Sequence, residues 1–363
     1  MLGGETNDMD TFGRMTEIGH ERVCFHHDEA TGLRAIVAIH STKLGPALGG
    51  TRRWHYATEE EALYDVMRLS EGMSCKAACA GLPMGGAKSV ILLPEPNTEA
   101  TEAEAKAMGR FIDTFNGDYI AAEDVGLDPR YIDWMATETN HVMGGETVST
   151  GGDPSPFTAA GTFNAMKACL QHLGRAVDFS GLNVAVQGLG HVGMDLCRRL
   201  HEAGANLLVA DINSSVVDQA VASWDAKPID PQSIIECECD ILAPCALGAV
   251  IGEHTVARIK ADIICGAANN ILVDPARESA AMVDRGILYA PDFVANAGGL
   301  IWLAGLWLGM SREELDRRND EIEQTMIDIL NDAPSHASTW EAAMSLARVR
   351  FAQGESKEPA HAG

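Results

Sequence analysis

Lys76 and Lys88 flank a segment built almost wholly of Ala, Cys, Gly, Leu and Met. In a chain with 27 basic against 52 acidic residues, two cations in such apolar company are unusual. An ammonium held in an apolar cleft loses hydration, so its pKa falls toward the range in which the free amine works as a base. Two such lysines near one another would depress each other further by like-charge repulsion. Taken alone, the pair also fits two surface residues that snorkel. A second constellation is Gly188, Gly190 and Gly193, spelling G-x-G-x-x-G between the β-type run 183–187 and a helical pattern through Met194, Leu196, Cys197 and Leu200. A tight turn, a bare backbone and a helix N-terminus with free N–H groups are what a pyrophosphate needs. The next β-type run, Leu207 to Ala210, ends in Asp211, where a carboxylate would meet the adenosine ribose hydroxyls. Ile212, Asn213, Ser214 and Ser215 supply no arginine for a 2′-phosphate, so NAD is favoured over NADP.

The elements that must carry these groups follow from pattern. Arg34 to Ile39 is rich in β-formers and reads as a strand, followed by the glycine-rich stretch Gly45 to Gly50. Thr58 with Glu61 forms a capping box, and Leu63, Val66, Met67 and Met73 recur at helical spacing, so a helix should run from about Thr58 into the mid-seventies. Gly81 to Ala87 reads as a turn and Val90 to Leu93 as a strand, which places Lys88 at their junction. The break at residues 149–157 is read as a hinge near Gly151 and Gly152. Beyond it the runs 184–186, 207–210, 241–243, 263–265 and 287–289 alternate with helical stretches, the βαβ rhythm of a parallel sheet covered on both faces. Capping boxes at Ser311/Glu314 and Ser338/Glu341 announce helices over 312–331 and 339–353, with a frayed tail from Glu355.

The chain has 363 residues, enough for two cores, and 46% hydrophobic residues fit a globular protein. A formal charge of −25 would repel phosphate backbones and anionic membranes, which argues against nucleic-acid and membrane partners. Nine scattered cysteines without a C-x-x-C pair suit a reducing compartment; with no secretory signal read in the first twenty residues and no spanning apolar run, a cytoplasmic location is expected. No metal site is expected: Cys237 and Cys239 with His254 lack a second cysteine pair, and ordinary buried thiols explain them better.

Several blocks together resemble the glutamate/leucine/phenylalanine/valine dehydrogenase family. They are Gly45 to Arg52, Gly72-Met73 before Lys76, Leu82 to Lys88, Ala122 to Gly126, Gly152 to Pro156, Ala243 to Ala246, Gly266 to Asn270 and Tyr289 to Gly299, spread over about residues 20–330. Ala87 stands where the family run has a third glycine. The resemblance implies an α/β protein of two domains: an N-terminal mixed-sheet catalytic and oligomerisation domain over 1–148, a Rossmann-type dinucleotide-binding domain over 149–331, and a C-terminal helical segment, 332–363, returning to the first. It implies that Lys88 and Asp124 are catalytic, Lys88 helping water attack an iminium carbon and Asp124 shuttling protons to and from the amine. Lys76 would hold the substrate carboxylate, with Gly49, Gly50 and Met73 around the bound amino acid and Asn269 reaching the carboxylate or the nicotinamide. Thr158, Gly188, Leu189, Gly190, His191, Val192, Gly193, Asp211, Ile212, Cys245, Ala246, Asn269 and Asn270 would hold NAD. Hydride transfer between groups carried by different domains would require closure of a cleft.

Glutamate-using members of the family resemble one another in a lysine before the paired glycines; this chain has Leu48 there, which leaves a buried distal carboxylate without a counter-charge. Ala122, Leu300 and Leu303, similar to side-chain pocket positions, are also apolar. The expected activity is NAD-dependent oxidative deamination of an apolar L-amino acid, reversible by reductive amination, in a homo-oligomer. Ala122 points to leucine, valine or isoleucine; residues 287–299 and Trp302 point to phenylalanine, and the reading leans to branched chains. A non-catalytic NAD(H)-binding regulator, a function of another class, would be marked by loss of Lys76, Lys88 or Asp124, all of which are present.

Overall fold

A computed structural model describes residues 10–148, 152–246 and 248–354. The expected frayed tail and Gly151 of the expected hinge lie outside them. The described residues form two compact units, one of residues 10–78, 83–148 and 353–354, the other of 79–82, 152–246 and 248–352.

In the first unit β1 (Arg22–Asp28), β2 (Leu33–Ser41), β3 (Ala47–Trp54), β4 (Gly85–Leu92), β5 (Tyr119–Glu123) and β6 (Val142–Met143) form one sheet of order β1-β2-β4-β3-β5-β6. The β1, β2 and β4 pairings are antiparallel and those from β4 through β3 and β5 to β6 are parallel, a mixed sheet. One face, with Ala47, Ala87, Ala121 and Tyr119, packs with Met108, Phe111, Tyr131 and Met135 of the helices Glu102–Asp113 and Pro129–Ala136. On the other, Ile36, Ala38 and Val90 pack with Ala62, Leu63, Val66 and Met67 of the helix Glu59–Cys79. Thr58 caps that helix, its Oγ1 accepting from the Glu61 N–H at 3.1 Å while the Glu61 carboxylate accepts from the Ala57 N–H. Three glutamates in its first turn and Lys76 in its last suit the helix dipole.

The strands β3 and β4 correct the sequence reading, in which Gly81 to Ala87 is a turn and Gly45 to Gly50 a stretch between elements. Gly49 and Gly50 lie inside β3, and Gly85, Gly86, Ala87 and Lys88 lie inside β4. A Cβ on Gly49 would sit 1.7 Å from the Ala87 carbonyl oxygen, on Gly85 2.0 Å from that of Ser41, and on Gly86 2.1 Å from the Ser74 nitrogen. These glycines permit close approach of backbone to backbone, within the sheet at Gly49 and Gly85 and against the helix Glu59–Cys79 at Gly86, a use of strand glycine that local propensity does not register.

In the second unit β7 (Asn183–Gln187), β8 (Asn206–Ala210), β9 (Lys227–Pro228), β10 (Ile241–Pro244), β11 (Ile263–Ile264) and β12 (Leu288–Tyr289) are all parallel, in the order β12-β11-β10-β7-β8-β9. This is the doubly wound arrangement whose switch point lies between β7 and β10. The two C-terminal helices run over Arg312–Asp332 and Thr339–Gly354, with Ser311 and Ser338 accepting from the Glu314 and Glu341 N–H groups. The last helix belongs to the second unit through Ala352 and to the first from Gln353. Arg318 and Arg350 donate to the carbonyls of Gly81 and Cys79, which groups that short connection with the second unit. Among the described residues no helix is long and apolar enough to cross a membrane.

Candidate active site

Strand alternation selects the side chains of the first unit's site. With Ala47, Ala87 and Ala121 on one face, Leu48, Gly50, Lys88 and Ala122 fall on the other, under the helix Glu59–Cys79. Gly50 pairs with Ala122 across β3 and β5. Lys88 is 5% exposed, and its Nζ lies 2.8 Å from Asp124 Oδ2, just past the end of β5. A Cβ on Gly50 would come within 2.8 Å of Asp124 Cβ and 3.1 Å of Lys88 Nζ, so glycine is required there for the pair to meet. Beneath it, Ser89 donates to Thr51 Oγ1 and shares a 2.8 Å hydrogen bond with Tyr119, whose hydroxyl donates to the Gly49 carbonyl. That buried network fixes the strands carrying the site.

Burial pushes the Lys88 amine below its ordinary pKa, opposed by the Asp124 carboxylate and assisted by the Arg52 guanidinium. Burial alone would raise Asp124, but Lys88 and Arg52 outweigh it and hold the carboxyl below its usual value. Arg52 and its partner Asp65 do not stand out in the sequence as site residues. Arg52 Nε donates to Asp124 Oδ2 at 3.0 Å and Nη1 to Asp65 Oδ2 at 2.8 Å, and the Tyr56 hydroxyl donates to the same Asp65 oxygen at 2.8 Å. The one available signal is that Arg52 ends the glycine-rich block; Asp65, on a helix, gives none.

Of the remaining expected residues in this unit, Leu48 is 1% exposed and Ala122 is buried. Met73 and Lys76 are half-buried, one helical turn apart, and the close approach of Ser74 to Gly86 brings their helix onto β4 near Lys88.

In the second unit the glycine turn, Asp211, Ile212, Cys245, Ala246, Asn269 and Asn270 follow the carboxyl ends of β7, β8, β10 and β11. Gly188 adopts a φ of +94°, and a Cβ there would lie 2.6 Å from Ala246 Cβ. Its N–H donates to the Ala210 carbonyl, and the Cys245 N–H donates to the Gln187 carbonyl at 2.7 Å. A Cβ on Gly193 would meet the Gly188 oxygen at 2.0 Å, so the helix His191–Glu202 sits close against the turn. Gly190 caps that helix without a side-chain hydrogen bond, and a Cβ there would meet nothing within 4 Å. Open space over an uncapped helix N-terminus is the place a pyrophosphate fits. Leu189 is buried behind the turn, Val192 is half-buried and His191 is exposed, its Nδ1 3.0 Å from Asp153 Oδ2.

Asp211 accepts from the Leu189 N–H through Oδ2 at 2.7 Å and from the Asn213 N–H through Oδ1 at 2.8 Å, so two backbone donors orient its carboxylate. Ile212 beside it is 96% exposed. Asn269 and Asn270 are exposed; Asn269 Oδ1 accepts from Asn296 Nδ2 at 3.0 Å, and Asn270 has φ +53°. Thr158 Oγ1 would lie 2.8 Å from a Cβ on Gly299, so glycine keeps the space at that hydroxyl clear. Leu300 is buried and Leu303 half-buried, three residues apart on the helix Gly298–Trp307. A groove of about 950 Å³ lies at the opposite, amino ends of the strands, beside Asn183, Asn206 and Asp240, away from the glycine turn.

Comparison with known proteins agrees with both halves. Residues 20–141 match the family model described as Glu/Leu/Phe/Val dehydrogenase, dimerisation domain, and residues 209–353 match that of glutamate/leucine/phenylalanine/valine dehydrogenase. The leucine dehydrogenase of Geobacillus stearothermophilus is 44% identical over 345 residues, 94% of each chain. The phenylalanine dehydrogenase of Lysinibacillus sphaericus is 38% identical, covering 86% of this chain and 84% of its own. The crystal structure of L-tryptophan dehydrogenase from Nostoc punctiforme superposes with a TM-score of 0.85 at 38% identity, covering 95% of this chain and 100% of that one. Glycine-built strands around a buried lysine and a dinucleotide turn in a parallel sheet, together with these likenesses, place the chain in the Glu/Leu/Phe/Val dehydrogenase family, as an amino acid dehydrogenase.

Proposed function

We propose that this enzyme oxidatively deaminates branched-chain L-amino acids (leucine, valine and isoleucine) with NAD, and catalyses the reverse reductive amination. The observation that carries the reading is the Lys88–Asp124 contact of 2.8 Å, set on the same sheet face as the apolar Leu48 and Ala122. Lys88, its pKa lowered chiefly by burial, takes the proton of the water that adds to the substrate iminium carbon. Asp124, held ionised by its two cations, accepts a proton from the substrate ammonium and returns one to the nitrogen as ammonia departs. Lys76 receives the α-carboxylate. When bound, NAD would supply the hydride acceptor, with the turn at Gly188 and Gly190 receiving its pyrophosphate, Gly193 keeping the helix close to that turn, and Asp211 meeting its ribose hydroxyls.

A glutamate side chain would bring a second carboxylate against Leu48, a position that holds no lysine in this chain. The 44% likeness to a leucine dehydrogenase supports a branched-chain substrate. Likenesses to phenylalanine and tryptophan dehydrogenases support the second reading, an aromatic substrate, because a pocket of this type separates neighbours by only about 1–3 kcal/mol per methylene. The family's first domain model, named for dimerisation, supports a homo-oligomer.

Initial rates of NADH formation with leucine, valine, phenylalanine, tryptophan and glutamate test the reading. It expects the highest kcat/KM with leucine or valine and at least about a hundredfold less with glutamate. A highest value with phenylalanine or tryptophan replaces it by the second reading, and a highest value with glutamate overturns both.

A further inference from the structure

We propose that Arg52 and Asp65 are a positioning pair for the Lys88–Asp124 couple, fixing which Asp124 oxygen faces the substrate. The inference deepens the proposed function and rests on its roles for Lys88 and Asp124. Two cations converge on one oxygen: Lys88 Nζ at 2.8 Å and Arg52 Nε at 3.0 Å both meet Asp124 Oδ2. Among the described contacts Oδ1 is therefore the oxygen left to exchange a proton with the substrate nitrogen. Arg52 does not choose this pose alone. Its Nη1 is tied to Asp65 Oδ2 at 2.8 Å, and Asp65 is itself held by the Tyr56 hydroxyl at 2.8 Å and by Arg68, whose Nη2 lies 3.0 Å from Oδ1. The guanidinium is a planar fork, so fixing one arm on the helix aims the other at Asp124.

Arg52 comes from β3, Lys88 from β4, and Asp124 from the turn after β5, where Glu123 and the buried Tyr119 also feel its charge. The helix Glu59–Cys79 contributes Asp65, Arg68 and, in its last turn, Lys76. Within this set Arg52 lowers the proton affinity of Lys88, whereas Asp65 raises it. The two substitutions should therefore displace the enzyme's pH response in opposite directions, which a general loss of packing would not do.

The test is the pH profile of kcat for NADH formation by the intact enzyme, whose rising limb follows loss of the Lys88 proton. Arg52→Gln should move that limb upward by about 0.5–1 pH unit, and Asp65→Asn should move it downward by a smaller amount. Arg52→Lys, which keeps the charge without the fork, should restore the limb while lowering the plateau. Limbs that stay in place in both neutral variants while only the plateau falls would overturn the inference, as would shifts of the same sign. If Arg52→Gln does not fold, a downward limb in Asp65→Asn supports the inference, and a limb that stays in place or moves upward overturns it. Failure of the underlying function is distinguishable: then the wild-type enzyme gives no amino-acid-dependent NADH, or Lys88→Ala keeps the wild-type profile, and the inference falls with it.

Discussion

The two units solve opposite problems with the same residue. In the first, glycines at 49, 50, 85 and 86 let strands and a helix close so tightly that a buried lysine meets a half-buried carboxylate; in the second, Gly190 leaves the start of a helix open, with nothing within 4 Å of where a side chain would be. On the proposed reading the first region does chemistry with side chains whose protonation burial and neighbouring charges adjust. On the same reading the second region binds its cofactor through N–H groups and a single oriented carboxylate, Asp211. Changes in the first should therefore damage turnover, and changes in the second cofactor affinity.

The largest expected effect is on the first side. Asp124→Asn keeps the shape but cannot carry a proton, and should lower kcat by about 10²–10⁴-fold while the dissociation constant for NADH stays within about threefold. Stopped-flow turnover with fluorescence titration checks both; a matched loss of cofactor affinity would erase the division of labour. Next, Gly188→Val should weaken NADH binding by about a hundredfold, because φ +94° and the Ala246 contact both oppose a side chain. Unchanged binding by calorimetry would contradict the backbone cradle. A smaller effect, about tenfold weaker NAD and a reduced preference over NADP, is expected for Asp211→Ala, measured as the ratio of kcat/KM for the two cofactors.

The smallest effect concerns pH and only the first unit. Burial, and then the charge of the neighbouring His40, lower the His20 pKa from 6.5 to about 4. The folded pKa lies below the unfolded one, so this stability is complete above pH 6.5 and is lost as pH falls toward 4, about 3 kcal/mol at most. Hydrogen exchange at pH 7 and pH 5 should show the first unit's sheet amides losing protection more than the second's, and His20→Gln should flatten that difference.

The same contrast explains what the sequence disclosed. The inner strands of the second unit, β7, β8, β10 and β11, are mostly buried on both faces, so they stand out as continuous apolar runs such as Leu207–Ala210, and the glycine turn follows one of them directly. The strands of the first unit that matter most carry Gly49, Gly50, Gly85 and Gly86, which have low strand propensity, and their strand character comes from neighbours distant in sequence. Lys88 is legible as an unusual cation but not as the middle of a strand. Arg52 and Asp65 meet only because a helix lies across the sheet, a fact of packing that residue spacing does not encode.

The central claim is that Lys88 acts in the chemical step and not in holding the cofactor. Single-turnover formation of the 2-oxo acid by Lys88→Ala, with leucine and saturating NAD, tests it most directly, because the water addition assigned to Lys88 follows hydride transfer. A rate at least about 10³-fold below wild type, with NADH affinity preserved, is the predicted result. A rate within about tenfold of wild type would contradict it.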